Sequence, residues 1–138
     1  MENLLHGFAV VLTAENLFFC FVGTLLGTLV GIIPGLGPLT TIAILLPLTY
    51  RMEVTSALIM LAGIYYGVAY GGTATSVLLR IPGEASSVVT CIDGYAMARK
   101  GRAGAALTIA ALGSFVAGTL GTVGISYLSP PLAELVFA

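Results

Sequence analysis

The sequence predicts an all-α integral membrane protein, with discontinuous or re-entrant elements at PGLGP and YGGTATS among its transmembrane helices. Three observations predict it. Hydrophobic residues make up 58% of the 138 residues and charged ones only 8%, whereas a soluble domain carries about a quarter charged residues. The few charges are segregated, with none from Asn16 to Tyr50 or from Val54 to Leu79. Inside those runs stand Pro34-Gly35-Leu36-Gly37-Pro38 and Gly71-Gly72, residue types that interrupt or weaken a regular helix.

Residues 1–15, MENLLHGFAVVLTAE, mix apolar positions with Glu2, His6 and Glu15 and read as an interfacial amphipathic helix. No Lys or Arg precedes the first apolar run, so the basic region of a cleaved signal peptide is missing. Residues 16–50 would form a helix of about 52 Å, against a hydrocarbon core of about 30 Å. A break at Pro34 resolves the excess. Asn16–Ile33 then spans about 27 Å, and Leu39–Tyr50 about 18 Å, roughly half a crossing. Residues 54–79 form a second span, about 25 Å up to Tyr70, with a break expected at Gly71-Gly72 and the hydroxyl-rich TATSVLL beyond it. Residues 80–102 hold most of the charge and form a polar segment. Residues 103–129 make the last span, closed by Pro130-Pro131.

Sidedness follows from basic residues. Arg80, Arg99, Lys100 and Arg102 cluster before the last span, whereas the turn at 51–53 has only Arg51. The positive-inside rule places residues 80–102 in the cytoplasm. If the first two runs each cross once, the N-terminus is cytoplasmic too. A second full crossing after PGLGP would reverse it.

Gly23, Gly27 and Gly31 are spaced by four, as are Gly63, Gly67 and Gly71. Such ladders let helix backbones approach closely, and helix packing is their simplest reading. The breaks need more, because non-helical backbone at membrane depth is tolerated only where protein buries it or a watery cavity lies beside it. A helix restarting after PGLGP would offer N–H groups and a positive dipole end to an anion. Gly35 and Gly37 leave room for a ligand, and Thr40 and Thr41 add hydroxyls. Gly71, Gly72, Thr73, Thr75 and Ser76 form the comparable set at the second break, and freed carbonyls suit a sodium ion. Arg80 reads equally as a carboxylate partner or as an anchor at the cytoplasmic end. Asp93 and Glu84 fit solvated carboxylates better than proton relays, Arg102 fits a topology determinant, and His6 an interfacial residue. Tyr65, Tyr66 and Tyr70 suit either a permeation path or an interface.

The net charge of −1 offers no basic face to nucleic acid. Cys20 and Cys91 make no disulfide framework. The sequence has no cluster of metal-ligand type, no GxSxG and no P-loop, since GLGPLT lacks the GK[ST] ending. No enzyme and no cofactor are expected. A structural or assembly module without its own substrate site is the alternative to a transporter, and a channel is a third reading.

The strings GTLVGIIPGLGPLTTIAILLPLTY and ALIMLAGIYYGVAYGGTATSVLLRIPGEASSVVTCIDGYAMARKGRAGAAL closely resemble the large membrane subunit of the tripartite tricarboxylate transporters, the TctA family. The resemblance runs from about Leu17 to Leu135. The family's glycine-rich signature corresponds to Gly31, Pro34, Gly35, Gly37 and Pro38. Its second signature corresponds to Tyr66, Gly67, Tyr70, Gly71, Gly72 and Thr73, followed by Pro82-Gly83. Asp93-Gly94-Tyr95 and Gly101-Arg102 match later motifs. The resemblance implies a multi-pass permease of the bacterial inner membrane for citrate or other carboxylates, driven by Na+ or H+ and not by ATP. It also implies a periplasmic solute-binding protein and a small membrane subunit as partners. Family members are several times longer, so this chain corresponds to an N-terminal portion that needs the remainder of the large subunit and the lipid bilayer around it. Arg80 departs from the small polar residue, such as Asn, more usual before Ile-Pro-Gly, and Cys91 departs in the loop before Asp93.

Overall fold

Glu53 starts the central helix of the fold. Its carboxylate accepts hydrogen bonds from the backbone N–H groups of Thr55 (3.1 Å) and Ser56 (3.2 Å), which fixes the first turn of α4, Val54–Leu79. The computed structural model describes residues 2–137, with side chains from 5 to 129. Around α4 stand α1 (Glu2–Val11), α2 (Ala14–Gly31), α3 (Pro38–Leu45), α5 (Thr90–Arg99) and α6 (Ala103–Phe137). Short 3₁₀ turns occupy Leu46–Thr49 and Ala85–Val88, and no strand occurs among the described residues. By length and composition α2, α4 and residues Ala103–Ser129 of α6 suffice to cross a membrane.

The two glycine ladders meet each other. Gly23, Gly27 and Gly31 of α2 lie against the backbone of Met60, Ile64 and Val68, while Gly63, Gly67 and Gly71 of α4 lie against that of Cys20, Thr24 and Thr28. A Cβ on Gly63 would stand 2.7 Å from the Cys20 carbonyl, and one on Gly71 2.6 Å from that of Thr28. Only glycine permits this approach. Residue numbers rise together along both helices, so α2 and α4 run parallel. At the starting end Asn16, buried, accepts from the Ser56 hydroxyl at 2.6 Å and donates to the Val10 carbonyl at 2.8 Å.

Parallel neighbours require the chain to return between them. From Asn16 to Gly31 is about 22 Å of helix, and α3 with the following 3₁₀ turn retraces about 20 Å. Ile42 and Leu45 pack on the core of Met60, Ile64 and Val68 as it does so. Leu39–Tyr50, expected at about 18 Å, therefore retraces most of the length of α2. In consequence α1 and the segment 80–102 lie at opposite ends of the α2–α4 pair, the reversal expected for a second crossing after PGLGP.

The interruption after α2 is present where the prolines put it, from Ile32 to Gly37. Gly35 takes φ +88° there, a left-handed turn that glycine adopts without strain. The interruption expected at Gly71-Gly72 is corrected, because α4 passes through both glycines unbroken. Two glycines cost about 2 kcal/mol of helix propensity, but backbone from Gly31 and Gly83 covers them and the helix survives. Its real end is Arg80, in the left-handed region at φ +59°, followed by Pro82, which disfavours helical backbone at Ile81.

Residues 80–102, expected as a polar segment, carry a second 3₁₀ turn and α5, which packs between α4 and α6 through buried Cys91 and Gly94. Helix α6 runs antiparallel to α4, with a Cβ on Gly118 reaching 4.0 Å from the Tyr66 ring. It continues through Pro130-Pro131 to Phe137, so the prolines do not close it. Prolines are tolerated in membrane helices where neighbouring groups satisfy the freed backbone.

Candidate functional site

Sequence and packing converge on the last turns of α4, where GGTATS meets two non-helical turns. The first turn is the broken end of α2. The Thr75 hydroxyl, buried, is shared between the Ile32 carbonyl at 3.0 Å and the Gly71 carbonyl at 3.1 Å. One helical turn before Thr75, Gly71 abuts Gly31, to whose carbonyl carbon an added Cβ would lie 2.8 Å.

The second turn is Ile81–Ser87. Gly83 rests on Gly72, where a Cβ on Gly72 would stand 3.3 Å from the Gly83 Cα. The Ser76 hydroxyl, fully buried, bonds the Gly72 carbonyl at 2.8 Å and Ser87 Oγ at 2.9 Å. Ser87 in turn donates to the Glu84 carbonyl at 2.9 Å and accepts from the Glu84 amide at 3.2 Å. Every buried side-chain nitrogen and oxygen among the described residues has a partner.

Helix α3 restarts with Gly37 as its N-cap and Pro38 in its first turn, without a side-chain cap. The first intrahelical bond is Thr41 N–H to the Gly37 carbonyl at 3.1 Å, so the amides of Leu39 and Thr40 precede the ladder. Thr41 is fully buried and its hydroxyl returns to the same Gly37 carbonyl at 3.1 Å. Thr40 is exposed, and Gly35 and Gly37 face open space.

The structure thus brings together Gly71 and Thr75 with the Gly31–Ile32 end, and Gly72 and Ser76 with the Gly83–Ser87 turn. It does not bring Thr73 to the break. Thr73 lies two residues, about 200°, round α4 from Gly71 and Thr75, and its hydroxyl bonds the Ala69 carbonyl at 3.0 Å. Arg80 is exposed, with its guanidinium 5.8 Å above the Tyr95 ring. Asp93 is an exposed residue in the first turn of α5, on an open groove of about 270 Å³ bordered by Val77, Met97 and Ile109. Arg102 is exposed and precedes α6, its amide bonded to the Met97 carbonyl at 3.0 Å.

Sequence reasoning missed the buried pair Asn16 and Ser56, which are forty residues apart. It also missed that Gly71/Thr75 and Gly72/Ser76 repeat one i, i+4 pattern. That signal was available in the string GGTATS.

These geometries accompany a clear family match. The model of the tripartite tricarboxylate transporter TctA family matches residues 17–138. The chain belongs to the TctA family. A relative from Agrobacterium vitis, described as "Uncharacterized 52.8 kDa protein in TAR-I ttuC' 3'region", is 57% identical over 135 residues. The match covers 98% of this chain and 27% of that relative, so this TctA chain spans about a quarter of the relative's length. No solved structure matches it. Membership and the three apolar helices make the TctA chain part of a multi-pass membrane protein.

Proposed function

We infer that this chain is the N-terminal portion of the membrane permease subunit of a binding-protein-dependent secondary transporter for citrate or other carboxylates. It works in the bacterial inner membrane with a periplasmic solute-binding protein, a small membrane subunit and the rest of the large subunit. A Na+ or H+ gradient drives it. The observation that carries the reading is the uncapped start of α3 at the PGLGP turn, flanked by open space at Gly35 and Gly37 and by the exposed Thr40. Donor N–H groups at a helix start favour a carboxylate, in surroundings where a buried charged side chain would be costly. On this reading Gly35, Gly37 and Thr40 meet the ligand, whereas Thr41, Thr75 and Ser76 hold the frame.

The test is uptake of radiolabelled citrate and smaller carboxylates by the complete transporter with its partner subunits, with and without a sodium gradient. Gly35→Leu is expected to abolish uptake and leave membrane insertion intact. Normal uptake by that variant would remove PGLGP from the site.

A second reading, an assembly module without its own ligand, is favoured by one observation: most hydroxyls near the turns are committed to backbone carbonyls. Substrate protection of a cysteine at position 40 separates the two. A ligand site shows protection, and a packing seam shows none.

A further inference from the structure

Within GGTATS, Gly71 with Thr75 and Gly72 with Ser76 are two glycine–hydroxyl pairs, about 100° apart round α4. Each pair meets a different non-helical turn. The glycine lets backbone approach, and the hydroxyl one turn later bonds the segment that arrives. The Ile32 carbonyl has lost its helical donor, because the Leu36 N–H turns to the Ile33 carbonyl at 3.3 Å. Thr75, only 3% exposed, supplies a donor in its place at 3.0 Å. Forty-three residues separate the two partners. On the neighbouring face Ser76, with no exposed surface, reaches Ser87 at 2.9 Å, the hydroxyl that closes the Glu84–Ser87 turn.

We propose that GGTATS is a two-sided clamp in which Thr75 positions the PGLGP turn and Ser76 positions the Ile81–Ser87 turn. Thr75 touches no ligand. It acts through the Ile32 carbonyl, fixing where the chain leaves α2 and hence where Gly35, Gly37 and the start of α3 stand. The proposal rests on the reading of PGLGP as part of the ligand site. Its structural half, that each hydroxyl governs one turn alone, is measurable without transport.

The experiment uses the complete transporter with its partner subunits, in membranes. Amide hydrogen exchange is followed separately in segments 32–37 and 83–88, alongside the KM and Vmax of citrate uptake. Removing the hydrogen bond that anchors a segment speeds its exchange by about ten-fold. Thr75→Val is expected to speed exchange in 32–37 by that factor with 83–88 unchanged, and Ser76→Ala to do the reverse. Thr75→Ser, which keeps the hydroxyl, restores slow exchange. Thr75→Val is also expected to raise KM by about ten-fold at near-constant Vmax, since a misplaced site weakens binding, and Thr75→Ser to restore KM. Where Thr75→Val fails to reach the membrane, Thr75→Ala carries the same test. Unchanged exchange in 32–37, or equal loosening of both segments by either substitution, would overturn the clamp, whereas an unchanged KM beside faster exchange in 32–37 would overturn PGLGP as the ligand site. Absence of carboxylate uptake by the unsubstituted transporter would overturn the functional reading alone, because the exchange pattern is still read.

Discussion

Gly63→Ala puts the packing of α2 on α4 to a direct test. In an open helix this change is stabilising by about 1 kcal/mol, because alanine is the better helix former. Here the new methyl would lie 2.7 Å from the Cys20 carbonyl, roughly 0.7 Å inside the 3.4 Å where ordinary contact begins, and 3.1 Å from the Thr24 amide nitrogen. Both neighbours are backbone of a regular helix and cannot rotate aside. The helices must separate, and ladder contacts on either side of the site loosen together. Forced expansion of a packed interface costs about 1–3 kcal/mol, which exceeds the propensity gain. Gly113→Ala on α6 is the internal control, since nothing lies within 4 Å of its added methyl. The assay is thermal or denaturant unfolding of the complete transporter in detergent. Gly63→Ala is expected to lower stability while Gly113→Ala leaves it unchanged or raises it. A Gly63→Ala protein as stable as the parent would refute the close parallel pair.

The remaining expectations concern the other end of the molecule and its sidedness. Asn16→Leu removes the acceptor of the buried Ser56 hydroxyl at 2.6 Å and should destabilise by about 1–3 kcal/mol; adding Ser56→Ala should recover part of that loss in the same unfolding assay. Glu53 has its carboxyl held below the ordinary carboxylate range, first by the backbone N–H of Ser56 and then by that of Thr55. Its contribution is complete above its unfolded value and lost as pH falls through the lowered folded one, so acid destabilisation between neutral and acid pH should be shallower in Glu53→Gln. Cysteines at positions 7 and 100 should label with a membrane-impermeant maleimide from opposite sides of the membrane, and labelling of both from one side would contradict the parallel arrangement of α2 and α4.

How legible the fold was depended on how far packing overrides a residue's local preference. Pro34 lies in the interruption expected at PGLGP and Pro38 opens the helix after it, whereas Pro130-Pro131 stand within α6, as proline can in a membrane helix where neighbouring groups satisfy the freed backbone. Gly71 and Gly72 only permit a break. Tertiary packing decided against it, because the approach of Gly31 and Gly83 needs α4 intact with no Cβ in the way. Arg80 was read for its charge and not for its backbone, although it ends α4 at φ +59°. A left-handed position suits Asn or Gly and costs other residues about 1–2 kcal/mol, a backbone demand that the charge of Arg80 does not reveal. Among the candidate ligand residues, those on PGLGP could be listed from sequence, but Thr73 could not be told from Thr75. The two differ only in the helix face they occupy, and which face meets the break depends on the register of α2.

That register is also what limits how the molecule can move. Three glycines on each helix seat the backbone of the other, so sliding α2 along α4 by one residue would bring side-chain bulk against carbonyls now in contact with bare Cα atoms. The Asn16–Ser56 bond pins one end of the pair and the Thr75–Ile32 bond the other. Packed interfaces of this kind have discrete arrangements and do not deform continuously. The Ile81–Ser87 turn joins the same unit through Gly72 and Ser76. Helix α6 is not locked in this way: Gly104, Gly113, Gly121 and Gly124 meet nothing within 4 Å, and Leu112, Phe115 and Leu120 are exposed. Among the described residues the chain therefore divides into the α2–α4 unit with its two clamped turns and the elements, α6 foremost, that no glycine seat or buried hydroxyl holds in register.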